Sequence, residues 1–280
     1  MFIKSFHSYW IIFSVTALGL ASCKTDDTRT LAEEGDPAAQ YELGVMYQNG
    51  EGLPQNYSKA VKWFRMAAEQ GDSNAQYSLG LKYSVGHGVP QNYPEAAKWH
   101  RKSAEQGIGG AAYNLARMLG GGLGIERDLP GMFKWMLKAA ELDFHPAQFL
   151  VGGLYFEGRV TRKDFTVAYA WFSIAAKNKG QGHLIEGKSP GLLAKEQMTF
   201  MAREMTLAQI GEAENIAKRL LDKIKANMNV GQEPSEIERI KRLAENGDPA
   251  SQYSLGLRYY QGKDVKRDSV TAYAWWEIAA

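Results

Sequence analysis

The chain of 280 residues has a single cysteine, Cys23. One cysteine excludes an intramolecular disulfide and a cysteine-based zinc site. Neither sign of charge is in excess: 33 basic residues stand against 31 acidic ones, and residues 1–22 hold only Lys4. Such a near-neutral body gives no electrostatic case for nucleic acid. A spanning hydrophobic run is missing too. The apolar stretch from Trp10 to Leu20 is shorter than the roughly 20 residues that cross a bilayer as a helix. Histidine is scarce. His7, His87, His100, His145 and His183 fall in separate segments without His-Glu-x-x-His or other metal spacing, and each is expected at the surface. The serines are read as forming no nucleophile elbow. Gly120-Gly121-Gly122-Leu123-Gly124 is glycine-rich, but no strand precedes it, which argues against a phosphate cradle. The carboxylate pairs Asp26-Asp27 and Glu33-Glu34 read as solvated charge. These absences point to a non-enzymatic protein with no cofactor and no metal.

The first 22 residues differ from the rest. Lys4 lies in a short n-region, and Trp10, Ile11, Ile12, Phe13, Val15, Ala17, Leu18 and Leu20 form an apolar core. That order is the order of a signal peptide. It ends Leu20-Ala21-Ser22-Cys23, which resembles the lipobox of bacterial lipoproteins: a branched apolar residue, two small residues, then cysteine. The resemblance implies cleavage before Cys23, lipidation of its thiol, and a periplasm-facing envelope protein on a membrane. Lys24, where such lipoproteins can carry Asp, implies the outer membrane of a diderm cell. A lone exported thiol would otherwise be a liability.

The remainder repeats. Residues 35–70 align with 71–106 without gaps, with 21 of 36 positions identical. The 36-residue step continues through 107–142 and 143–178, and a fifth copy begins at Gly247. Each copy reads as two helices, A and B. Asp36 and Asp248 are N-cap residues for helix A, with Pro37 and Pro249 in the first turn. Small residues recur at Ala39, Ala75, Ala111, Ala147 and Ser251, and at Gly44, Gly80, Ala116, Gly152 and Gly256. They are expected to let helix backbones approach closely. Leu43, Leu79, Leu115, Val151 and Leu255, then Tyr47, Tyr83, Leu119, Tyr155 and Tyr259, make a buried stripe. Gly50, Gly86, Gly122, Gly158 and Gly262 end helix A. Helix B is capped by Asn56, Asn92, Asp128, Asp164 and Asp268, and its buried face reads Ala60, Trp63, Ala67. Trp99, Trp135, Trp171 and Trp275 hold the place of Trp63, and all five are expected in the core. Met132 and Val160 break the pattern in copies three and four, so these copies are expected to pack less regularly.

The string Ala-Gln-Tyr-x-Leu-Gly-x-x-Tyr-x-x-Gly-x-Gly, then Asn, Lys-Ala, Trp and Ala-Ala-Glu-x-Gly, resembles the Sel-one-like repeat (SLR). That family is a cousin of the tetratricopeptide repeat. The resemblance implies an all-α fold: an α-solenoid of stacked helix-turn-helix repeats with a 36-residue period and a right-handed superhelix. Residues 191–227 resemble a terminal segment that follows such arrays. There Thr206 and Gln209 form a capping box, and Leu207, Ile210, Ala213, Ala217, Leu220 and Ile224 form an apolar stripe. The expected organisation is a signal peptide (1–22), a tether (23–34), four repeats (35–178), a loop and helical cap (179–227), a linker (228–235) and a second, truncated array (236–280). Ser235 and Glu238 are expected to cap that last block. Its final copy stops at Ala280 inside helix B, so the C-terminus is expected to be truncated or completed by a partner.

The family consists mostly of adaptors whose inner, helix A face binds peptides or protein domains. The resemblance therefore implies a non-catalytic envelope scaffold with a protein or peptide partner. An alternative is a cell-wall-binding protein or an envelope hydrolase of the β-lactam-binding branch. That branch carries a cysteine pair in each copy, and this chain has none. The candidate ligand-facing positions form triplets on helix A: Tyr41, Val45, Gln48; Tyr77, Leu81, Ser84; Tyr113, Arg117, Gly120; Phe149, Gly153, Phe156; and Tyr253, Leu257, Tyr260. The aromatic ring that opens each triplet either binds an extended peptide or packs between repeats, and its regularity favours packing. Gln48, Ser84, Arg117 and Phe156 vary, and so are better candidates for specificity.

Overall fold

A computed structural model describes residues 26–177, 188–229, 236–261 and 268–279. The expected signal peptide, Cys23, His7, His183, Ser235 and Gly262 lie outside the described residues. The chain divides into two units, Met1–Asn227 and Met228–Ala280.

The first unit opens with α1 (26–33). Four hairpins follow: α2 (Pro37–Asn49) with α3 (Tyr57–Glu69), α4 (Ser73–Val85) with α5 (Tyr93–Glu105), α6 (Gly109–Gly121) with α7 (Leu129–Glu141), and α8 (His145–Glu157) with α9 (Phe165–Lys177). The two helices of each hairpin pack on each other, and the second then packs on the first helix of the next hairpin, so the fold is all-α and stacked. All eight helices have 13 residues, although α6 and α8 start without a side-chain cap, at Ile108 and Phe144. Asp36 and Asp72 accept from the N–H of Ala39 and Ala75 at 2.7 Å, and Asn56, Asn92, Asp128 and Asp164 do the same for helix B. Gly50, Gly86, Gly122 and Gly158 terminate helix A with φ between 66° and 79°, a conformation that suits glycine.

The core differs in two ways from the sequence expectation. In the first three hairpins the residue after the tryptophan of helix B lies deeper than the tryptophan itself. Phe64, His100 and Phe172 are fully or almost fully buried, and Met136 nearly so; Trp99 and Trp171 are buried, but Trp63 and Trp135 only half-buried. The recurrent glycine of helix A serves that residue rather than a backbone contact. A Cβ built on Gly44 would lie 2.6 Å from Cδ1 of Phe64; on Gly80, 2.7 Å from Nδ1 of His100; on Gly152, 2.8 Å from Cδ1 of Phe172. Each ring rests on a helix that has no side chain there. The third hairpin exchanges both partners at once: Ala116 replaces glycine, and the narrower Met136 replaces the ring. Met132 is compensated in the same way, since it packs over Gly120, where the other copies have Gln48, Ser84 and Phe156.

A second column is polar. Gln40, Gln76 and Gln148 are buried, and the Nε2 of each donates to a carbonyl eight residues earlier, on Ala32, Ala68 and Ala140. They cap the end of the preceding helix, adding a side-chain donor to carbonyls that also accept from the turn N–H of Gly35, Gly71 and Asp143. Gln70 and Gln106 then donate to Oε1 of Gln40 and Gln76 at 2.8 Å, which closes the joint between hairpins. Before the fourth hairpin Asp143, at φ 58°, stands where the other copies have glycine, and its carboxylate accepts from Gln148.

After the hairpins come α10 (Pro190–Met201) and α11 (Leu207–Asn229). Ala194, Met201, Met205 and Ala213 cluster with Ala168, Phe172 and Ala175 of α9, while Ala217 and Ile224 join the cluster of α7, α8 and α9. Thr206 and Gln209 cap α11 reciprocally: Thr206 N–H donates to Oε1 of Gln209 at 2.9 Å, and Gln209 N–H to Oγ1 of Thr206 at 3.3 Å. One member of the expected stripe fails. Leu207 is 89% exposed.

The second unit contains α12 (Glu236–Glu245), α13 (Pro249–Gln261) and α14 (Ser269–Ala279). Asp248 and Asp268 cap α13 and α14, and Gln252 donates to the carbonyl of Ala244 at 3.0 Å. Trp276 takes the place of Phe64 over Gly256, and Trp275 is half-buried.

Candidate functional site

The opening aromatic of each triplet is half-buried in the first unit and lies against a second ring. Tyr41 meets Phe64 at 5.7 Å between centroids, Tyr77 meets His100 at 5.8 Å, and Phe149 meets Phe172 at 5.5 Å. Tyr113 has only Met136 at that position and turns to Phe144 at the start of the next hairpin, at 5.0 Å. Tyr77 also reaches the next hairpin, where a Cβ built on Gly110 would lie 2.9 Å from its hydroxyl. Burial raises the pKa of that hydroxyl, and a hydrogen bond with Asn114 partly offsets the effect. These rings pack within and between repeats. In the second unit Tyr253 is 60% exposed, with its ring 6.3 Å from Trp276; Leu257 and Tyr260 are exposed as well.

The later triplet members behave differently from one another. Arg117 is exposed, with its guanidinium 5.8 Å from the Tyr113 ring centre. Gly153 has open space where a side chain would be. Val45, Gln48, Leu81 and Ser84 are half-buried. Ser84 donates to the carbonyl of Gly80 at 2.9 Å, and Gln48 Nε2 donates to Asn49 at 3.3 Å. Phe156 is half-buried among rings: Phe165 stacks on it at 5.4 Å, and Phe200 of α10 meets it edge-on at 6.3 Å. The accessible part of the row is thus centred on Arg117 and Gly153.

His100 is not at the surface. It is 0% exposed, and neither ring nitrogen has a hydrogen-bond partner. Burial pulls its pKa down from 6.5 to about 4, so the ring is neutral at pH 7. The signal was available in the sequence, since Phe64 and Phe172 occupy the same repeat position. His87 is exposed and stacks on Tyr57 at 5.3 Å, and half-buried His145 lies 3.7 Å from Asp143.

Gly187-Lys188-Ser189-Pro190-Gly191 does spell Gly-x-Ser-x-Gly, contrary to the expectation that no such elbow occurs. Ser189 is the N-cap of α10, and its side chain accepts from the N–H of Leu192 at 3.3 Å. A catalytic elbow needs a base on the serine, and no histidine is hydrogen-bonded to Ser189 among the described residues. Among the described residues no group of three or more His, Cys, Asp or Glu converges on a metal position, and no helix is long and apolar enough to cross a membrane.

Comparison with known proteins agrees with this architecture. The Sel1 repeat profile matches residues 37–72, 73–108, 110–144, 145–179 and 249–280. A protective antigen present in uropathogenic Escherichia coli strains, displaying an SLR fold, is 27% identical with a TM-score of 0.56. The match covers 92% of this chain and 64% of that one, so this chain spans under two thirds of its relative. A Sel1 repeat protein from Oxalobacter formigenes shares the fold at 23% identity, with a TM-score of 0.53, over 96% of this chain and 82% of that one. Comparison with curated proteins gave no match. Sel1 repeat proteins are generally protein-interaction scaffolds and typically non-catalytic. With repeats matched over more than half its length, the chain belongs to the Sel1 repeat family.

Proposed function

We propose that the chain is a scaffold of the bacterial cell envelope, tethered through a lipid on Cys23, that binds a protein or peptide along its row of first helices. The observation that carries the reading is a contrast within that row. The regular rings are used up in packing, whereas Arg117 and the space at Gly153 are open and differ from the other copies. A surface that varies upon a constant frame is how a repeat protein acquires specificity. The tether rests on Leu20-Ala21-Ser22-Cys23 behind the apolar core.

The test combines Gln48→Glu with Arg117→Glu. Partner capture should fall while the melting temperature stays nearly constant, because Arg117 is exposed and Gln48 only half-buried. A sharp loss of melting temperature with capture intact would make both residues structural. For the tether, Cys23→Ala should leave the precursor unprocessed and remove the protein from the membrane fraction. Unchanged fractionation would mean that something other than a lipid holds it there.

A further inference from the structure

Charge in the first three hairpins is sorted by helix. Glu42, Lys82 and Arg117 are the only charged residues of α2, α4 and α6. By contrast α3, α5 and α7 hold eight cations against four carboxylates, and three of these, Glu69, Glu105 and Glu141, are the last residues of their helices. The cations follow the 36-residue step. Lys62, Lys98 and Lys134 occupy one repeat position, Arg65 and Arg101 a second, Lys102 and Lys138 a third. Ala60, Val61, Phe64, Ala67 and Ala68 turn inward, and Lys62, Lys98 and Lys134 are exposed. The stacking that buries the cores therefore lines up the lysines on one side.

Little neutralises this row. Lys98 pairs with Glu95 at 3.5 Å on the surface, where such pairs are weak. Lys62, Arg101, Lys102, Lys134 and Lys138 form no ion pair among the described residues. Lys102 and Lys138 lie over Trp99 and Trp135, with ammonium groups 4.6 and 5.0 Å from the ring centres. The tryptophans are thus beneath the lysines. Protein interfaces draw most of their energy from aromatic anchors that enter pockets, and this row withholds its aromatics. What it offers is a series of hydrated point charges. That suits a surface whose negative charge is diffuse.

We propose that the outer row of α3, α5 and α7 docks on an anionic phospholipid surface. Lysine ammonium groups attract the phosphates of such a membrane side by side, each adding to the whole, and salt screens the attraction. The proposal uses different helices from the partner-binding row and does not depend on lipidation of Cys23.

The test is co-sedimentation of the full chain, carrying Cys23→Ser, with phosphatidylcholine vesicles and with phosphatidylcholine–phosphatidylglycerol vesicles. Binding through residues 1–22 is common to both and serves as the baseline. At low salt the anionic vesicles should bind about tenfold better or more. High salt should erase that preference, and so should Lys62→Glu, Lys98→Glu and Lys134→Glu combined. A matching triple Lys→Gln variant, with less repulsion, should lose it in part while melting like the parent. No preference for anionic vesicles, or a preference that survives charge reversal, overturns the proposal. So does charge-dependent binding to polyglutamate without binding to vesicles, which would assign the row to an acidic protein.

Discussion

Replacing His100 by phenylalanine should stabilise the first unit, most of all in acid. The ring lies over Gly80 as Phe64 lies over Gly44 and Phe172 over Gly152, with a Cβ built on the glycine 2.6 to 2.8 Å from the ring in all three. A benzene ring therefore fits this seat twice in the same protein. At 0% exposure the imidazole leaves two nitrogens without partners. An unmade hydrogen bond costs about 1–3 kcal/mol in a buried place, and phenylalanine removes that cost. For a unit of this size the gain corresponds to a melting temperature roughly 2–12 °C higher. The acid limb follows from linkage. The folded pKa of His100 is about 4 against an ordinary 6.5, so between these values the unfolded chain binds the proton and the folded one does not. The wild-type protein should lose stability as pH falls through that window and level off below it. His100 alone contributes about 3 kcal/mol of that loss. The assay is urea denaturation of both proteins at pH 7, 5.5 and 4. The variant should lead at pH 7 and lead by more at pH 4. A less stable variant, or a lead that does not widen in acid, refutes the reasoning.

Three further outcomes follow from the packing and the polar column. Gly44→Ala should cost about 1–3 kcal/mol, because its Cβ would sit 2.6 Å from Phe64. Adding Phe64→Met should recover much of it, as Ala116 and Met136 share the third hairpin, and thermal melts of both variants check this. Gln76→Ala should cost about 1–3 kcal/mol by removing two hydrogen bonds, the one it donates to the Ala68 carbonyl and the one it accepts from Gln106. A double-mutant cycle with Gln106→Ala should give a coupling of about 0.5–1.5 kcal/mol, and additive losses would show that the joint is not a unit. Leu207→Ser should leave the melting temperature unchanged, since the side chain is almost wholly exposed.

Much of the helical frame was legible in the sequence because its signals are local. An Asp or Asn before six of the eight hairpin helices and a glycine after each first helix act within a turn, so spacing located most ends; α6 and α8, which follow Ile108 and Phe144, have no such cap. Depth was harder, since it depends on which helix crosses which. Tryptophan is the larger and more regular residue, yet it is the next position that falls on the glycine, and only the crossing reveals that. The residue type of His100 suggests the surface, whereas its repeat position, shared with Phe64 and Phe172, dictates the core. Gln40 and Gln76 acquire their role only from the preceding helix end that folds over them, which no local pattern specifies. Phe156 varies like a specificity residue, but its ring packs against Phe165 and Phe200 of α10. A near-zero net charge concealed the lysine row, because a total says nothing about how charges sort between helices.

The claim that the first-helix row receives a partner is tested most directly by photo-crosslinking in the native cell. A photoreactive residue replaces Arg117 in one variant and exposed Lys225 of α11 in another. The account predicts a discrete protein adduct in the membrane fraction from position 117 and none from position 225. Adducts of equal yield from both positions, or none from 117 while the protein remains folded and in place, would contradict it.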